Sequence, residues 1–229
     1  MNILVSGSDG FLGRNLVVAL ERAGRHRVWA YDLGSPPEVL AEGLAQAEIV
    51  FHLAGVDRPK SDEEFHEGNT AFSRRICSVL RLSGRKPAVV VSSSVQAALD
   101  NPYGVSKRLA EEAFEDLSFQ AGVPVVVYRF PGIFGKWSRP NYNSVVATFC
   151  HNVVRGLPIQ VMDPNRSVEL VYVDDVVGAF LGLLDRVDGV VIPGGFGDVV
   201  HPPLFRLQLV RQSEGWPVWA VSPDRLNRY

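Results

Sequence analysis

Five short apolar runs, set off by segments of helical period, fill the first 130 residues and leave few ways to fold them. The runs are NILVS (Asn2–Ser6), HRVWAYD (His26–Asp32), EIVFHLAG (Glu48–Gly55), PAVVVSSS (Pro87–Ser94) and PVVVYRF (Pro124–Phe130). Between them, apolar residues recur on one helical face: Leu12, Leu16, Ala19 and Leu20, then Phe72, Ile76, Val79 and Leu80, then Leu109, Ala113 and Leu117. A short helix near Glu38–Gln46 opens after Pro36 and Pro37. The unbroken valines of the fourth run mark a strand covered on both faces. The alternation predicts an α/β chain: a Rossmann-type, doubly wound parallel sheet with right-handed crossovers. After Gly135 the rhythm loosens into a smaller C-terminal lobe. There the pattern predicts a helix over Tyr142–Arg155, a strand over Ser167–Val173, a helix over Asp174–Leu184, a strand over Gly189–Pro193 and a helix near Leu204–Gln212.

Composition narrows the function classes. Hydrophobic residues make up 46% of the 229, which supports a packed core rather than disorder. Lys+Arg total 23 against 25 Asp+Glu, a net charge of −2, which is no footprint for nucleic acid or an anionic membrane. No apolar run approaches a membrane span. The start, MNILVSGSDG, lacks a basic region ahead of its apolar stretch and reads as a first strand rather than a signal peptide. Cys77 and Cys150 are the only cysteines, far apart and without clustered histidines, so neither a structural metal site nor a disulfide framework is expected. A cytoplasmic compartment is the expectation.

GSDGFLG places Gly7, Gly10 and Gly13 between the first strand and the first helix. Gly7 permits the turn, Gly10 lets the backbone approach a pyrophosphate, and Gly13 lets the helix pack close; the helix N-terminus then offers unpaired N–H groups to phosphates. The G-x-x-G-x-x-G spacing resembles the short-chain dehydrogenase/reductase superfamily, in its extended branch acting on nucleotide sugars. Residues 1–135 are then expected to bind NAD(P), and 136–229 to complete the substrate site. Asp32, ending the second strand, is placed to accept from a ribose 2′-OH and repel a 2′-phosphate, which favours NAD(H); its other reading is a turn residue. The resemblance implies further cofactor contacts from Phe11, Leu12, Arg14, Leu53, Ala54, Gly55 and Ser92, and from Phe130 and Ile133 in YRFPGIFG. His52 reads as a packed residue.

Tyr103 and Lys107 in NPYGVSK share a helical face at i and i+4. An ammonium beside a phenol lowers the phenol's pKa and fits it for proton exchange with a sugar hydroxyl or ketone. Ser94, ending SSSV after the fourth run, would hold the substrate oxygen; Ser93 is the neighbour it must be told from, since alternate strand residues face opposite ways. Ser, then Tyr-x-x-x-Lys, is the superfamily signature. The resemblance also implies a propping role for Asn69 in EGNT, beside the cofactor. For the nucleotide diphosphate it implies Asn141, Asn143, Ser144 and Arg166, against capping roles for the asparagines and core roles for Val145, Val146 and Phe149.

FHLAGVDRP, SSSVQAALDNPYGVSK, FGKWSRPNYNSVVATFCHN and VELVYVDDVV together resemble the reductase domain of CapF-type capsular polysaccharide enzymes. That resemblance implies NADPH-dependent reduction of the 4-keto group of a UDP-2-acetamido-2,6-dideoxy-hexulose, toward UDP-N-acetyl-L-fucosamine. It also implies a following cupin domain. The sequence ends at SPDRLNRY, where a linker is expected, so either a truncated chain or a stand-alone reductase is expected. Asp32 departs from the NADPH expectation. The alternatives are a nucleotide-sugar 4-epimerase with bound NAD, which uses the same triad, and a catalytically silent NAD(P) sensor. A 4,6-dehydratase is disfavoured, since Val95 and Gln96 follow Ser94 where an acidic pair is needed. A homodimer through the helix carrying Tyr103, with Phe114 and Phe72 contributing, is a further expectation.

Overall fold

A computed structural model of the chain describes residues 1–161, 163 and 167–187, with the backbone of 205–210 and 218–223. The chain divides into two compact units: Met1–Arg129 with Val177–Val200, and Phe130–Val176 with His201–Tyr229.

The first unit holds strands β1 (Asn2–Ser6), β2 (Arg27–Tyr31), β3 (Ile49–His52), β4 (Ala88–Ser94) and β5 (Val125–Phe130, whose last residue opens the second unit), in the order β2-β1-β3-β4-β5. β1 pairs in parallel with β2 (Ile3 opposite Val28) and with β3 (Ile3 opposite Ile49), and β3 pairs in parallel with β4 (Phe51 opposite Val90). The chain leaves β1 toward one edge and returns to its other side. This reversal opens a crevice beyond the carboxyl ends of β1 and β3, where α/β sheets bind their ligands. The helices are α1 (Phe11–Ala23), α2 (Pro37–Gln46), α3 (Asp62–Phe65), α4 (Phe72–Ser83) and α5 (Pro102–Ala121), with a π-helical turn, His66–Ala71, joining α3 to α4.

Period-2 alternation in the strands divides the core between the two faces of the sheet. Leu4, Val50, Val89 and Val91 pack with Leu40 and Leu44 of α2, Ile76 and Leu80 of α4, and Phe114 and Leu117 of α5. The intervening Phe51 meets Phe180 at 5.2 Å between ring centroids, and Phe180 also takes the edge of Tyr128. Phe180 lies on α7 (Val173–Val187), whose residues from Val177 onward belong to the first unit. Phe114 is fully buried, and Phe72 is half-buried against Tyr31 and His52.

The second unit contains β6 (Gly132–Phe134), α6 (Val145–Val154), β7 (Val168–Tyr172), β8 (Phe205–Val210) and β9 (Val218–Pro223), with sheet order β6-β7-β8-β9. β8 corrects the helix expected near Leu204–Gln212. FRLQLV alternates apolar and polar residues, and its backbone pairs antiparallel with β7 and β9. Val145, Val146 and Phe149 are half-buried rather than core, since no residue of α6 is buried. The strand expected over Gly189–Pro193 lies outside the described residues. Among the described residues no helix is long and apolar enough to cross a membrane.

Candidate active site

Gly7 follows β1 with φ +77°, and a Cβ there would come within 2.5 Å of Ala54 N, in the loop after β3. A Cβ on Gly13 would lie 2.0 Å from Gly7 O, so α1 can approach the turn only at a glycine. Gly10 is the N-cap of α1 and provides no side-chain cap, and no acidic residue stands in the first turn. The first N–H groups of α1, at Phe11, Leu12 and Gly13, therefore lack a side-chain acceptor from the cap and are available to an anion. Arg14 is exposed one residue on. At the end of β2, Asp32 accepts from Asp9 N at 2.8 Å and from Leu33 N at 2.8 Å, bringing its carboxylate to the glycine turn. This cradle, crowded by backbone and capped by no side chain, fits a dinucleotide pyrophosphate, and the Asp32 carboxylate lies beside it.

The catalytic candidates are brought together by the start of α5. Asn101 caps the helix by accepting Gly104 N at 2.8 Å, and Pro102 takes the first turn, where its missing N–H costs nothing. A Cβ on Gly104 would lie 2.2 Å from Gln96 O and 2.6 Å from Leu99 O, so the helix is seated directly on the 3₁₀ turn Val95–Ala98 that follows Ser94. That seating brings the Tyr103 phenol close enough to Ser94 for the serine hydroxyl to act on its pKa. Ser94 also accepts Gln96 N at 3.2 Å. Its neighbour Ser93 donates instead to Glu111, two turns further along α5 from Tyr103.

Lys107 is 9% exposed; its Nζ donates to Ser92 O at 3.3 Å and lies 5.9 Å from the Tyr103 ring centroid. Burial pushes its ammonium down to about 8, against the pull of the Asp57 and Glu111 carboxylates. The phenol departs from the sequence expectation. Burial holds the Tyr103 pKa above its ordinary range; the Ser94 hydrogen bond pulls it down and Asp57 pushes it further up. Desolvation of the phenolate outweighs any help from Lys107 at this separation.

Asn69, on the π-turn, is 1% exposed. Its Oδ1 accepts Val56 N at 2.8 Å, and its Nδ2 donates to Val56 O at 3.0 Å and Ser106 Oγ at 2.9 Å. It therefore ties the loop after β3 to α5, and π-turns of this kind recur at functional sites. A Cβ on Gly55 would lie 2.7 Å from Lys107 Nζ and 2.9 Å from Asn69 Oδ1, so glycine there lets Lys107 and Asn69 approach the loop. His52 is a packed residue: its Nδ1 meets Ser6 Oγ at 2.8 Å and its Nε2 meets Ser73 Oγ at 2.9 Å. Ser73 donates to Asn69 O at 2.6 Å, so the His52 Nε2–H is the donor to Ser73 and Nδ1 accepts from Ser6. His52, Asn69, Ser73, Ser92, Ser93 and Lys107 share a small buried cavity of about 10 Å³.

The remaining expected contacts lie in the second unit. Phe130 closes β5 and is buried, and Ile133 sits in β6 opposite Val171. Asn141 has φ +57° and its N–H donates to Thr148 Oγ1 at 2.8 Å; Asn143 Oδ1 accepts Arg139 N at 3.0 Å; Ser144 caps α6 by accepting Ala147 N at 3.3 Å. Asn143 and Ser144 thus spend side-chain acceptors on the local backbone. Arg166 lies outside the described residues. The residues that sequence reasoning missed are Gly104, Glu111 and Arg129. A glycine directly after the tyrosine, an acid at i+4 from Lys107, and a lone arginine in the Val-rich β5 were the available signals. Among the described residues no group of His, Cys, Asp or Glu converges as a metal site.

The sequence profile of the NAD dependent epimerase/dehydratase family matches residues 3–196. The chain is 45% identical over 185 residues to UDP-2-acetamido-2,6-beta-L-arabino-hexul-4-ose reductase of Pseudomonas aeruginosa, across 81% of this chain and 50% of that protein. The capsular polysaccharide assembling protein CapF from Staphylococcus aureus has a TM-score of 0.75 and 36% identity, across 90% of this chain and 54% of that one. UDP-glucuronic acid 4-epimerase from Bacillus cereus, solved with UDP-glucuronic acid and NAD, shares the fold, with a TM-score of 0.74 at 17% identity over 87% of this chain and 76% of that one. The chain spans about half the length of the Pseudomonas and Staphylococcus relatives.

Proposed function

This chain belongs to the NAD dependent epimerase/dehydratase family, in the extended branch of the short-chain dehydrogenases/reductases, and from that premise we propose that it is a nucleotide-sugar ketoreductase. Its substrate is a UDP-linked 4-keto-6-deoxy-hexosamine on the way to a capsule or O-antigen sugar. The observation that carries the chemistry is the seating of Tyr103 against Ser94, with Lys107 one turn behind. The substrate class rests on the 45% identity to the Pseudomonas reductase.

The glycine turn would hold a nicotinamide dinucleotide, whose chemistry would be hydride donation to the sugar carbonyl carbon. Ser94 holds the carbonyl oxygen through its hydroxyl, beside the phenol. Tyr103 gives that oxygen its proton. Burial favours the protonated phenol, which suits an acid in the reducing direction. Below its pKa of about 8 Lys107 carries a positive charge, which balances the phenolate left after transfer. Asp32 at the glycine turn favours NADH over NADPH, because a 2′-phosphate would meet its carboxylate.

Nicotinamide absorbance followed with NADH and NADPH, against UDP- and dTDP-4-keto sugars, tests the proposal. Net oxidation with a UDP-4-keto-6-deoxy-hexosamine is expected. Tyr103→Phe is expected to lower turnover by about 100-fold or more while leaving cofactor affinity unchanged. Interconversion of C4 epimers without net cofactor consumption identifies a 4-epimerase instead. Tight cofactor binding with no turnover on any nucleotide sugar identifies a silent sensor.

A further inference from the structure

The inner face of α5 carries a third ionisable side chain. Glu111 lies one turn beyond Lys107 and two beyond Tyr103, and it is 4% exposed. A carboxylate so far from water is costly unless its oxygens are met by donors and a counter-charge. Both are present. Ser93 Oγ donates to Oε1, Arg129 Nε reaches Oε1 at 2.9 Å and Oε2 at 3.2 Å, and Arg129 Nη2 donates to Oε2. Ser93 follows Ser92, whose carbonyl accepts Lys107 Nζ. Two consecutive β4 residues thus hold two consecutive turns of α5, and β5 closes the cluster through Arg129. The other groups facing Lys107 are the Asp57 carboxylate after β3, the His52 imidazole on β3 and the Tyr103 phenol on α5 itself. Asp57 is exposed and screened by water, whereas Glu111 is sealed.

We propose that Glu111 is a positioning residue for Lys107: clamped by Ser93 and Arg129, it fixes the stretch of α5 that carries Lys107 against β4 and keeps a sealed negative charge one turn from the ammonium while Tyr103 exchanges its proton. The role of Lys107 in this statement rests on the ketoreductase reading; the electrostatic coupling between Glu111 and Lys107 does not. Burial drives Lys107 toward neutrality, and the Asp57 and Glu111 carboxylates oppose it, so loss of the Glu111 charge lowers the pH at which Lys107 titrates. Loss of Arg129 removes a nearby cation and leaves the Glu111 charge without its counter-ion, so it raises that pH.

The chain has four lysines, Lys60, Lys86, Lys107 and Lys136, so isotopically labelled lysine resolves Lys107 in an NMR titration of the full chain without substrate, with Lys107→Arg assigning its signal. Glu111→Gln keeps an acceptor for Ser93 and is expected to lower the Lys107 midpoint by about one pH unit, the other lysines staying put. Arg129→Gln is expected to move it upward. Opposite displacements from two variants of one cluster are not produced by simple loosening of the fold. An unmoved midpoint in Glu111→Gln, or displacement in the same direction in both variants, overturns the proposal. If Glu111→Gln does not fold, a failure of Arg129→Gln to raise the midpoint overturns it alone. In turnover, the alkaline limb of the kcat/KM profile is expected to follow the same displacements. Absence of turnover on every sugar would instead defeat the ketoreductase reading and leave the titration result standing.

Discussion

The Asp32 carboxylate takes one N–H from the glycine turn, at Asp9, and one from its own turn, at Leu33. Those bonds fix its direction and leave acceptor lone pairs free, because an ionised carboxylate offers about four such sites. A ribose diol arriving at the end of β2 would meet an acceptor already aimed. Asp32→Ala is expected to raise the ratio of NADPH to NADH use, measured as kcat/KM, by about tenfold or more, since a hydrogen bond to a charged group is lost for one cofactor and a repulsion for the other. An unchanged ratio would mean that Asp32 does not face the ribose. Residue identity and position along the chain single out Asp32, Tyr103 and Lys107 as candidates. They did not reveal that the phenol would be pushed up rather than down, because that depends on how completely it is buried.

Helix α5 begins seven residues before the apolar period that announces it at Leu109, because Asn101 and Pro102 start it with polar and turn-forming residues rather than apolar ones. That early start is what carries Tyr103. Its closeness to Ser94 depends on Gly104, where any Cβ would run into Gln96 O and Leu99 O. Gly104→Ala must lift the helix off the 3₁₀ turn, at a cost of roughly 1–3 kcal/mol for overpacking. Displacing the phenol by about 1 Å is expected to reduce turnover about 100-fold. Gly178→Ala, in α7 with nothing near its Cβ, is the matched control and is expected to leave turnover unchanged. Kinetics and thermal melts of the two variants check this; equal turnover would mean that the helix seat does not govern the phenol. The strand β8, where the sequence reading expects a helix, teaches a related lesson. A six-residue stretch of period 2 is short enough to be read either way until its pairing partners are known.

Across the first unit, one set of interior polar groups forms a chain: Ser6 on β1, His52 on β3, Ser73 on α4, then Asn69, Ser106 and the Tyr103 carbonyl. It couples the stability of the unit to pH. Burial, helped by the Lys107 charge, pushes the His52 imidazole down to about 3 from an ordinary 6.5. The unfolded chain therefore takes up a proton on His52 below about pH 6.5, while the folded chain refuses it until near pH 3. Stability is full above the unfolded value and falls by roughly 1.4 kcal/mol per pH unit as the pH drops through that window. Denaturant melts at about pH 7.5 and about pH 5 are expected to differ by roughly 2 kcal/mol from this residue. His52→Gln is expected to be less stable at neutral pH but flatter across the window. A variant with the same slope would clear His52 of the effect.

Local chemistry along the chain is enough to declare an α/β sheet, a glycine turn for a dinucleotide, and a serine, tyrosine and lysine in the right order. Each of these depends on periodicity, on φ or on neighbours within a turn, all written in adjacent residues. Folding alone decided which of three consecutive serines meets the phenol, which carboxylate and guanidinium stand behind the lysine, and which way each buried group's pKa moves. Those outcomes come from contacts between residues far apart in sequence, Ser93 and Arg129 with Glu111, Ser6 and Ser73 with His52, and from the removal of water around them.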